Sequence, residues 1–215
     1  MAQGQAIADA MVRFSEAFKA IGRDGDSAEE ETRLRSYYRD HFLPSVNSDK
    51  REEALPLTKA LPRSKAGILL QSVYVLEGKV TRNDRLDAYA RVHVDYHPML
   101  ESIKQKVGFY DILLIDHETG AIVYSVLKEP DFATNLYSGP HAETNLARAF
   151  GEAALSRNDG STQLVDFQMY PPSRMLPACF VAAPIFRNGR KVGVLAIQLD
   201  VHDINTTMTG ERQWE

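Results

Sequence analysis

The spacing of apolar residues changes near Gly108, and this change most constrains the fold of the chain. Before Gly108, apolar residues recur at intervals of three and four, which predicts amphipathic helices. After it, short runs rich in β-branched and aromatic residues alternate with turn sequences, as is typical of strands. The chain therefore combines a helical first half with a second half that contains a sheet.

The first helix is predicted over residues 6–21. Its apolar stripe consists of Ile7, Met11, Phe14, Phe18 and Ile21. Because the stripe spans only about two heptads, it fits either a seam between two copies or docking on the chain's own core. In the seam interpretation, Ile7, Phe14 and Phe18 hold a homodimer together.

Further helices are predicted from capping and proline signals. Ser27 and Glu30 form a capping-box pattern, so a second helix is expected to run to about Leu43 and stop at Pro44. A long connection with short helical turns follows, and then a third helix over residues 66–76. Residues 86–107 are again helical in spacing, and Pro98 predicts a kink or a second helix that begins there.

The order of elements after Gly108 predicts the fold class. Strands are expected at residues 109–115 and 121–127, which form a hairpin, and a helix is expected at 143–155. Three more strands are expected at 162–170, 178–186 and 192–201. Two strands, a helical connection and three strands indicate an α+β unit with an antiparallel sheet.

Composition excludes several classes of protein. The 25 basic and 29 acidic side chains give a net charge of −4 without long blocks of either sign, so nucleic acid is not an expected partner. The single cysteine, Cys179, lies in an apolar run and is expected to be a buried, inert thiol. The start of the chain lacks the basic and apolar regions of a signal peptide.

Catalytic and metal motifs are sparse. The sequence contains neither a Gly-x-Ser-x-Gly elbow nor a phosphate-binding glycine loop. His93 and His97 have the i, i+4 spacing of metal ligands, but Pro98 disfavours helix at His97, so packing or capping is the better interpretation. Asp116 is expected to cap a hairpin turn. No catalytic residue, metal site or cofactor is predicted.

Polar side chains gather at one end of the predicted sheet. Tyr124, Lys128 and Asp131 lie at and beyond the end of strand two. Asp166, Gln168 and Tyr170 alternate along strand three, and Arg174 follows in the next loop. A small-molecule pocket and a solvated sheet face both fit this pattern.

Seven segments of the chain resemble the Cache sensor domains of bacterial transmembrane receptors. They are residues 108–116, 120–126, 128–136, 166–173, 177–180, 183–186 and 193–199. Upstream, residues 42–47, 70–75 and 93–98 resemble the helical region that precedes this module. The chain lacks the Arg-x-Trp-Tyr pattern of amino-acid-binding Cache receptors, so the resemblance does not extend to that ligand class.

The resemblance implies a PAS-like antiparallel sheet of five to six strands preceded by long helices. It divides the chain into a helical region (1–107), a sensor module (108–208) and the start of a downstream segment (209–215), which suits the membrane-distal module of a double Cache sensor. By the same resemblance, the protein lies in the periplasm between transmembrane helices outside this chain. It is the extracytoplasmic part of a receptor whose cytoplasmic part makes it a histidine kinase, chemoreceptor or nucleotide cyclase.

The resemblance also implies a small-molecule ligand that is held on the sheet face. Its pocket candidates are Tyr124, Lys128, Asp131, Asp166, Tyr170 and Arg174. Ligand binding is then expected to displace a helix and so signal across the membrane, with the domain itself not an enzyme. Two alternatives are a ligand-free interaction or dimerisation module and a metal-dependent enzyme that uses His93 and His97.

Overall fold

The computed structural model describes residues 2–21, 27–48, 54–76 and 84–200. Its helices are α1 (Ala2–Ala20), α2 (Ala28–Tyr37), α3 (Leu43–Val46), α4 (Leu57–Ala60), α5 (Lys65–Tyr74), α6 (Asp87–Val107) and α7 (Asn145–Leu155). A π-helical segment, Tyr38–Phe42, joins α2 to α3, and a 3₁₀ turn, Asp84–Leu86, precedes α6. The strands are β1 (Asp111–Ile115), β2 (Ile122–Ser125), β3 (Gln163–Tyr170), β4 (Leu176–Arg187) and β5 (Arg190–Asp200). The predicted downstream segment 209–215 lies outside the described residues.

The five strands form one antiparallel sheet in the order β2-β1-β5-β4-β3. Leu114 in the central part of the sheet faces Tyr124 of β2 on one side and Leu195 of β5 on the other. All five strands lie within a few residues of their predicted positions. The α+β class, with long helices first and an antiparallel sheet after them, is therefore confirmed.

Both faces of the sheet are covered, as the uniformly buried β1 shows. Side chains alternate along a strand, so Ile112 and Leu114 join an apolar cluster with α1, α5 and α6. Leu113 and Ile115 point the other way and pack in a second cluster with α7. The sheet is thus enclosed between the N-terminal helices and α7, and the helical region shares its core with the sheet.

The apolar stripe of α1 packs on the chain's own core. Met11 and Phe14 are fully buried. The Phe14 ring centroid lies 5.4 Å from that of Tyr89 in α6 and 4.5 Å from that of Tyr124 in β2. The expectation that Phe14 forms a seam between two copies is therefore replaced by docking within the chain. Homodimerisation itself stays a prediction.

Helix α6 runs through Pro98 as one helix, so the expected alternative of a second helix that begins at Pro98 is wrong. A proline frees the carbonyl four residues earlier, here that of Val94. The side chains of Val94 and Pro98 are both exposed, so this side of the helix faces water. A water molecule can donate a hydrogen bond to the freed carbonyl in place of the missing N–H. The helix ends at Gly108, whose φ of +82° suits glycine.

The second helix differs from its prediction in two ways. Ser27 precedes α2, but its side chain makes no capping hydrogen bond. Helical structure also continues past Leu43 to Val46, through the π-helical segment and α3. Pro44 then lies in the first turn of α3, where a backbone N–H is not needed.

None of the described helices is both long enough and apolar enough to span a membrane.

Candidate functional site

The segment of residues 126–135, which follows β2, carries two of the six residues predicted to form a pocket, Lys128 and Asp131. Its start is fixed by the buried carboxylate of Asp111 in β1. Asp111 Oδ1 accepts backbone N–H bonds from Val126 at 2.9 Å and Leu127 at 3.1 Å, as well as from Ile112 at 2.7 Å. Burial raises the pKa of Asp111, and these backbone donors oppose the rise.

Lys128 places its ammonium group inside the protein, among aromatic rings. Its Nζ donates to the Ser125 carbonyl and lies 4.1 Å from the centroid of Tyr124, 5.3 Å from that of Phe132 and 5.8 Å from that of Tyr74. Burial lowers the pKa of Lys128, and the charge of Asp111 opposes this effect. The aromatic faces stabilise the cationic form.

Asp131 and Tyr170 form the centre of the site. The Tyr170 hydroxyl donates to Asp131 Oδ2 at 2.7 Å, and both residues are almost completely buried. Asp131 Oδ1 is also buried and has no hydrogen-bond partner among the described residues. Burial, and next the charge of Glu129, raise the pKa of Asp131 to about 8. A buried acceptor without a partner is rare in a folded protein and calls for a specific explanation.

His141 is a second buried polar group with an unpartnered atom, and sequence reasoning missed it. The side chain is about 1% exposed, and its Nε2 has no partner within the described chain. Burial lowers the pKa of His141 to about 4, so the ring is neutral at pH 7; a hydrogen bond to the Pro130 carbonyl opposes this shift. A lone histidine in a turn-rich segment gives no signal of such burial.

Glu129 connects this segment to two other parts of the sheet. Its carboxylate accepts from the Tyr110 hydroxyl at 2.8 Å and from the Ser173 hydroxyl at 2.6 Å. Gln198 of β5 in turn donates to Ser173 Oγ at 3.0 Å. The loop between β3 and β4 is thereby tied to the segment that carries Asp131.

Gln71 of α5 holds the same segment from the helical side. Its Nε2 donates to the carbonyls of Pro130 at 2.9 Å and Phe132 at 2.6 Å, and its Oε1 accepts from Tyr38 at 2.8 Å. Tyr38 begins the π-helical segment, a rare geometry that often occurs at functional sites. Gln71 was not predicted, although a polar residue within an otherwise apolar helix is a visible signal.

Tyr124 joins the site to α6. Its hydroxyl oxygen lies 2.7 Å from Nδ1 of His97, whose Nε2 is 3.7 Å from Glu101. The His93 and His97 rings stack at 4.4 Å with nearly parallel planes. No set of three or more potential metal ligands occurs together within the described ranges.

Asp166 and Arg174 lie outside this buried group, since both are exposed. The register of β3 shifts between Val165 and Gln168, and such a bulge breaks the alternation that was expected to align Asp166, Gln168 and Tyr170. The Asp166 carboxylate bonds locally to the Phe167 N–H at 2.7 Å. The structure therefore forms two pairs from the predicted residues, Lys128 with Tyr124 and Asp131 with Tyr170, which the segment 126–135 connects. Asp166 and Arg174 lie at the surface.

Asp116 caps the hairpin turn, as predicted. Its Oδ1 accepts backbone N–H bonds from Glu118 at 3.1 Å and Thr119 at 2.9 Å. Its Oδ2 pairs with Lys19 of α1 at 2.7 Å and accepts from Ser15. Burial opposes ionisation, but the bonds from Lys19, Ser15 and Thr119 outweigh it and lower the pKa of Asp116 to about 2. Cys179 is buried, also as predicted.

Comparisons with known proteins find similarity only among solved structures. No protein-family model and no curated protein matches the sequence. The sensor domain of the Vibrio cholerae histidine kinase DctB is 15% identical with a TM-score of 0.39, over 95% of this chain and 60% of that one. The ligand-binding domain of the Pseudomonas aeruginosa amino-acid chemoreceptor PctC, solved with GABA, is 13% identical with a TM-score of 0.38, over 66% and 60%.

A third structure is the ligand-binding domain of the Pseudomonas fluorescens chemoreceptor CtaA, solved with L-serine. It is 12% identical with a TM-score of 0.35, over 86% of this chain and 57% of that one. This chain thus spans about three fifths of the length of these structures. They are sensor or ligand-binding domains of histidine kinases and chemoreceptors, the receptor classes that the sequence resemblance names.

The helices followed by a five-stranded antiparallel sheet agree with the architecture that the sequence resemblance implies.

Proposed function

We propose that this chain is a Cache-type, extracytoplasmic sensor domain that binds a small metabolite for a bacterial transmembrane receptor. The observation that supports it most is the Asp131–Tyr170 pair, which lies at the end of the sheet with a buried, unpartnered carboxyl oxygen. Lys128 and Tyr124 complete the proposed binding group. Asp166 and Arg174 belong to it only as residues at its outer edge.

Ligand entry requires the segment 126–135 to move, because the four central residues are buried. Gln71 and Glu129 hold this segment from two sides, so a ligand that replaces their bonds can favour a second arrangement. A ligand shifts such an equilibrium only through its different affinity for the two arrangements.

Contacts toward α1 supply a route for the proposed helix displacement. The Lys128 ammonium lies on the Tyr124 ring, and Tyr124 in turn packs against Phe14 of α1. A change at Lys128 therefore reaches the N-terminal helix through one intervening side chain. In the intact receptor, the output of this movement is a histidine kinase, chemotaxis or cyclase domain.

A ligand-free interaction or dimerisation module is the second candidate. The observation in its favour is that the interior is filled by the protein's own groups: Lys128 occupies the space between three rings, and Tyr124 pairs with His97. In that case the buried polar groups specify the packing of the segment, and the surface carries the function.

A thermal-shift screen of metabolites separates the two candidates. A ligand at a hundredfold excess over its Kd stabilises the folded state by about 2.7 kcal/mol, which is a measurable rise in Tm. We expect at least one metabolite to stabilise the wild type but not the Tyr170→Phe or Asp131→Asn variants. Tyr137→Phe is the matched control, since Tyr137 is exposed and outside the site. Equal stabilisation of all four proteins would remove this site from the proposal.

A further inference from the structure

A cleft of about 490 Å³ opens between the end of α1, the start of α5 and residues 133–139. None of the six predicted pocket residues lines it. Its volume lies in the range of small-molecule sites, which is roughly 300–1,000 Å³. The cleft is therefore distinct from the Asp131 site and large enough for a ligand of its own.

The ionisable side chains that line this cleft are all basic: Lys19, Arg63 and Lys65. Arg63 donates to the neutral carbonyl of Ser138 at 2.6 Å, so this bond leaves its charge uncompensated. Lys19 is offset by Asp116, 2.7 Å away and outside the cleft lining. A cleft lined by charges of one sign concentrates small ions of the opposite sign.

The start of α5 adds to the positive potential. Ser64 is its N-cap and accepts the Gly67 N–H at 3.0 Å, and Ser64, Lys65 and Ala66 all line the cleft. The amino end of a helix carries a partial positive charge. Residues of α5 from Ala66 onward are buried, which reduces the screening of that charge by water.

Apolar side chains form part of the remaining wall of the cleft, beside polar residues such as Thr119 and Asn135. The apolar side chains include Phe18 and Ile21 at the end of α1 and Ala121 and Ala133 on the opposite side. A ligand that fits both walls has an apolar body and one anionic group. We propose that this cleft binds a small organic carboxylate, with Arg63 as its principal anion contact.

The cleft also connects to the Asp131 segment. Thr134 lines the cleft, and its hydroxyl donates to the Asp131 carbonyl at 2.6 Å. Occupation of the cleft therefore restrains the segment whose movement the sensor site requires. The bound carboxylate then modulates the movement of the segment and is not itself the ligand of the Asp131 site.

Calorimetric titration with benzoate, with benzamide as its neutral counterpart, tests the proposal. We expect benzoate to bind with a Kd of about 1 mM or tighter, and benzamide at least about tenfold more weakly. Arg63→Gln should weaken benzoate about tenfold, while Arg63→Lys, which keeps the charge, stays within about threefold of the wild type. Arg148→Gln is the control, since Arg148 is exposed on α7 and does not line the cleft.

Amide chemical shifts locate the bound benzoate. The largest changes are expected at Ala66 and residues 133–139. The proposal is overturned by equal affinity for benzamide, by an unchanged affinity in a folded Arg63→Gln variant, by shifts elsewhere, or by no saturable binding. Tyr170→Phe does not touch the cleft, so it should change benzoate affinity by less than Arg63→Gln does, and failure at the cleft and failure at the Asp131 site give different results.

Discussion

At the scale of single residues, buried titratable groups link the stability of the fold to pH. His93 packs between Tyr74 and His97, and burial lowers its pKa to about 3, with the charges of Lys128 and His97 acting in the same direction. Below about pH 6.5 the unfolded chain takes up a proton that folded His93 does not. The contribution of His93 to the free energy of unfolding is therefore fully present above pH 6.5 and is lost as the pH falls toward 3.

Replacement of His93 should reduce the loss of stability at acidic pH. We expect the wild type to lose about 1–2 kcal/mol through His93 between pH 7 and pH 5, and His93→Phe to lose correspondingly less. Urea unfolding at the two pH values measures the difference. His41→Gln, which changes an exposed histidine, should behave like the wild type. An equal loss in His93→Phe would contradict this account of its burial.

Asp131 should make the free energy of unfolding depend on pH in the opposite direction. Its pKa of about 8 lies above the ordinary value, so between about pH 4 and pH 8 the folded state keeps a proton that the unfolded state releases. Stability falls as the pH rises through this window. Asp131→Asn cannot titrate and should gain about 2–4 kcal/mol relative to the wild type between pH 5 and pH 8.

Chemical unfolding across the same pH range measures that gain, with Asp166→Asn as the exposed control. A gain that does not vary with pH would show that Asp131 is ionised in the folded protein.

The sequence identified Asp131 and Tyr170 as pocket candidates but did not predict their hydrogen bond, because that bond depends on how the segment 126–135 crosses the end of the sheet. His141 gave no signal in the sequence, whereas Gln71 stood out as a polar residue in an apolar helix, although its partners could not be predicted.

At the scale of elements, α1 is part of the core of its own chain. Phe14 is fully buried against Tyr89 and Tyr124, so Phe14→Ala should cost about 3–5 kcal/mol. Val94→Ala on the exposed side of α6 should cost less than about 0.5 kcal/mol. Unfolding with parallel sedimentation measures both effects. A Phe14→Ala protein that dissociates without loss of monomer stability would restore the seam interpretation.

The Gln71 side chain fixes the segment 126–135 against α5. Gln71→Met keeps the volume but leaves the Pro130 and Phe132 carbonyls without this donor, so we expect a loss of about 2–4 kcal/mol. Hydrogen exchange should accelerate at residues 130–134. Ser72→Ala is the control, because the Ser72 hydroxyl donates to the Leu69 carbonyl within α5, and its loss should cost less than about 1 kcal/mol. Unchanged exchange would show that Gln71 does not hold the segment.

Strand and helix positions could be predicted better than their irregularities. The strand positions could be predicted from local signals, namely the alternation of side chains in the strands and the turn sequence at residues 187–190. The bulge at residues 165–168 and the π-helical segment were not predictable, because they depend on contacts between elements. The helix start expected at Pro98 is absent, because α6 continues through this proline.

At the scale of the whole molecule, helices and sheet act as one body with the proposed sensor site at their junction. Apolar side chains of α1, α5 and α6 share one cluster with those of the sheet, and the division of the chain at residues 107 and 108 stays a prediction. The fold class followed from the order of elements along the chain. Which polar groups meet at the junction did not, because that depends on the docking of α5 and α6.

Native mass spectrometry of freshly purified protein tests the sensor proposal most directly, since a metabolite retained from expression adds a constant mass. The account predicts such an adduct on the wild type and on Tyr137→Phe, and its loss from Tyr170→Phe and Asp131→Asn. An adduct that persists in both site variants would contradict the Asp131–Tyr170 site. A bare mass together with an empty metabolite screen would contradict ligand sensing and favour the ligand-free interaction module.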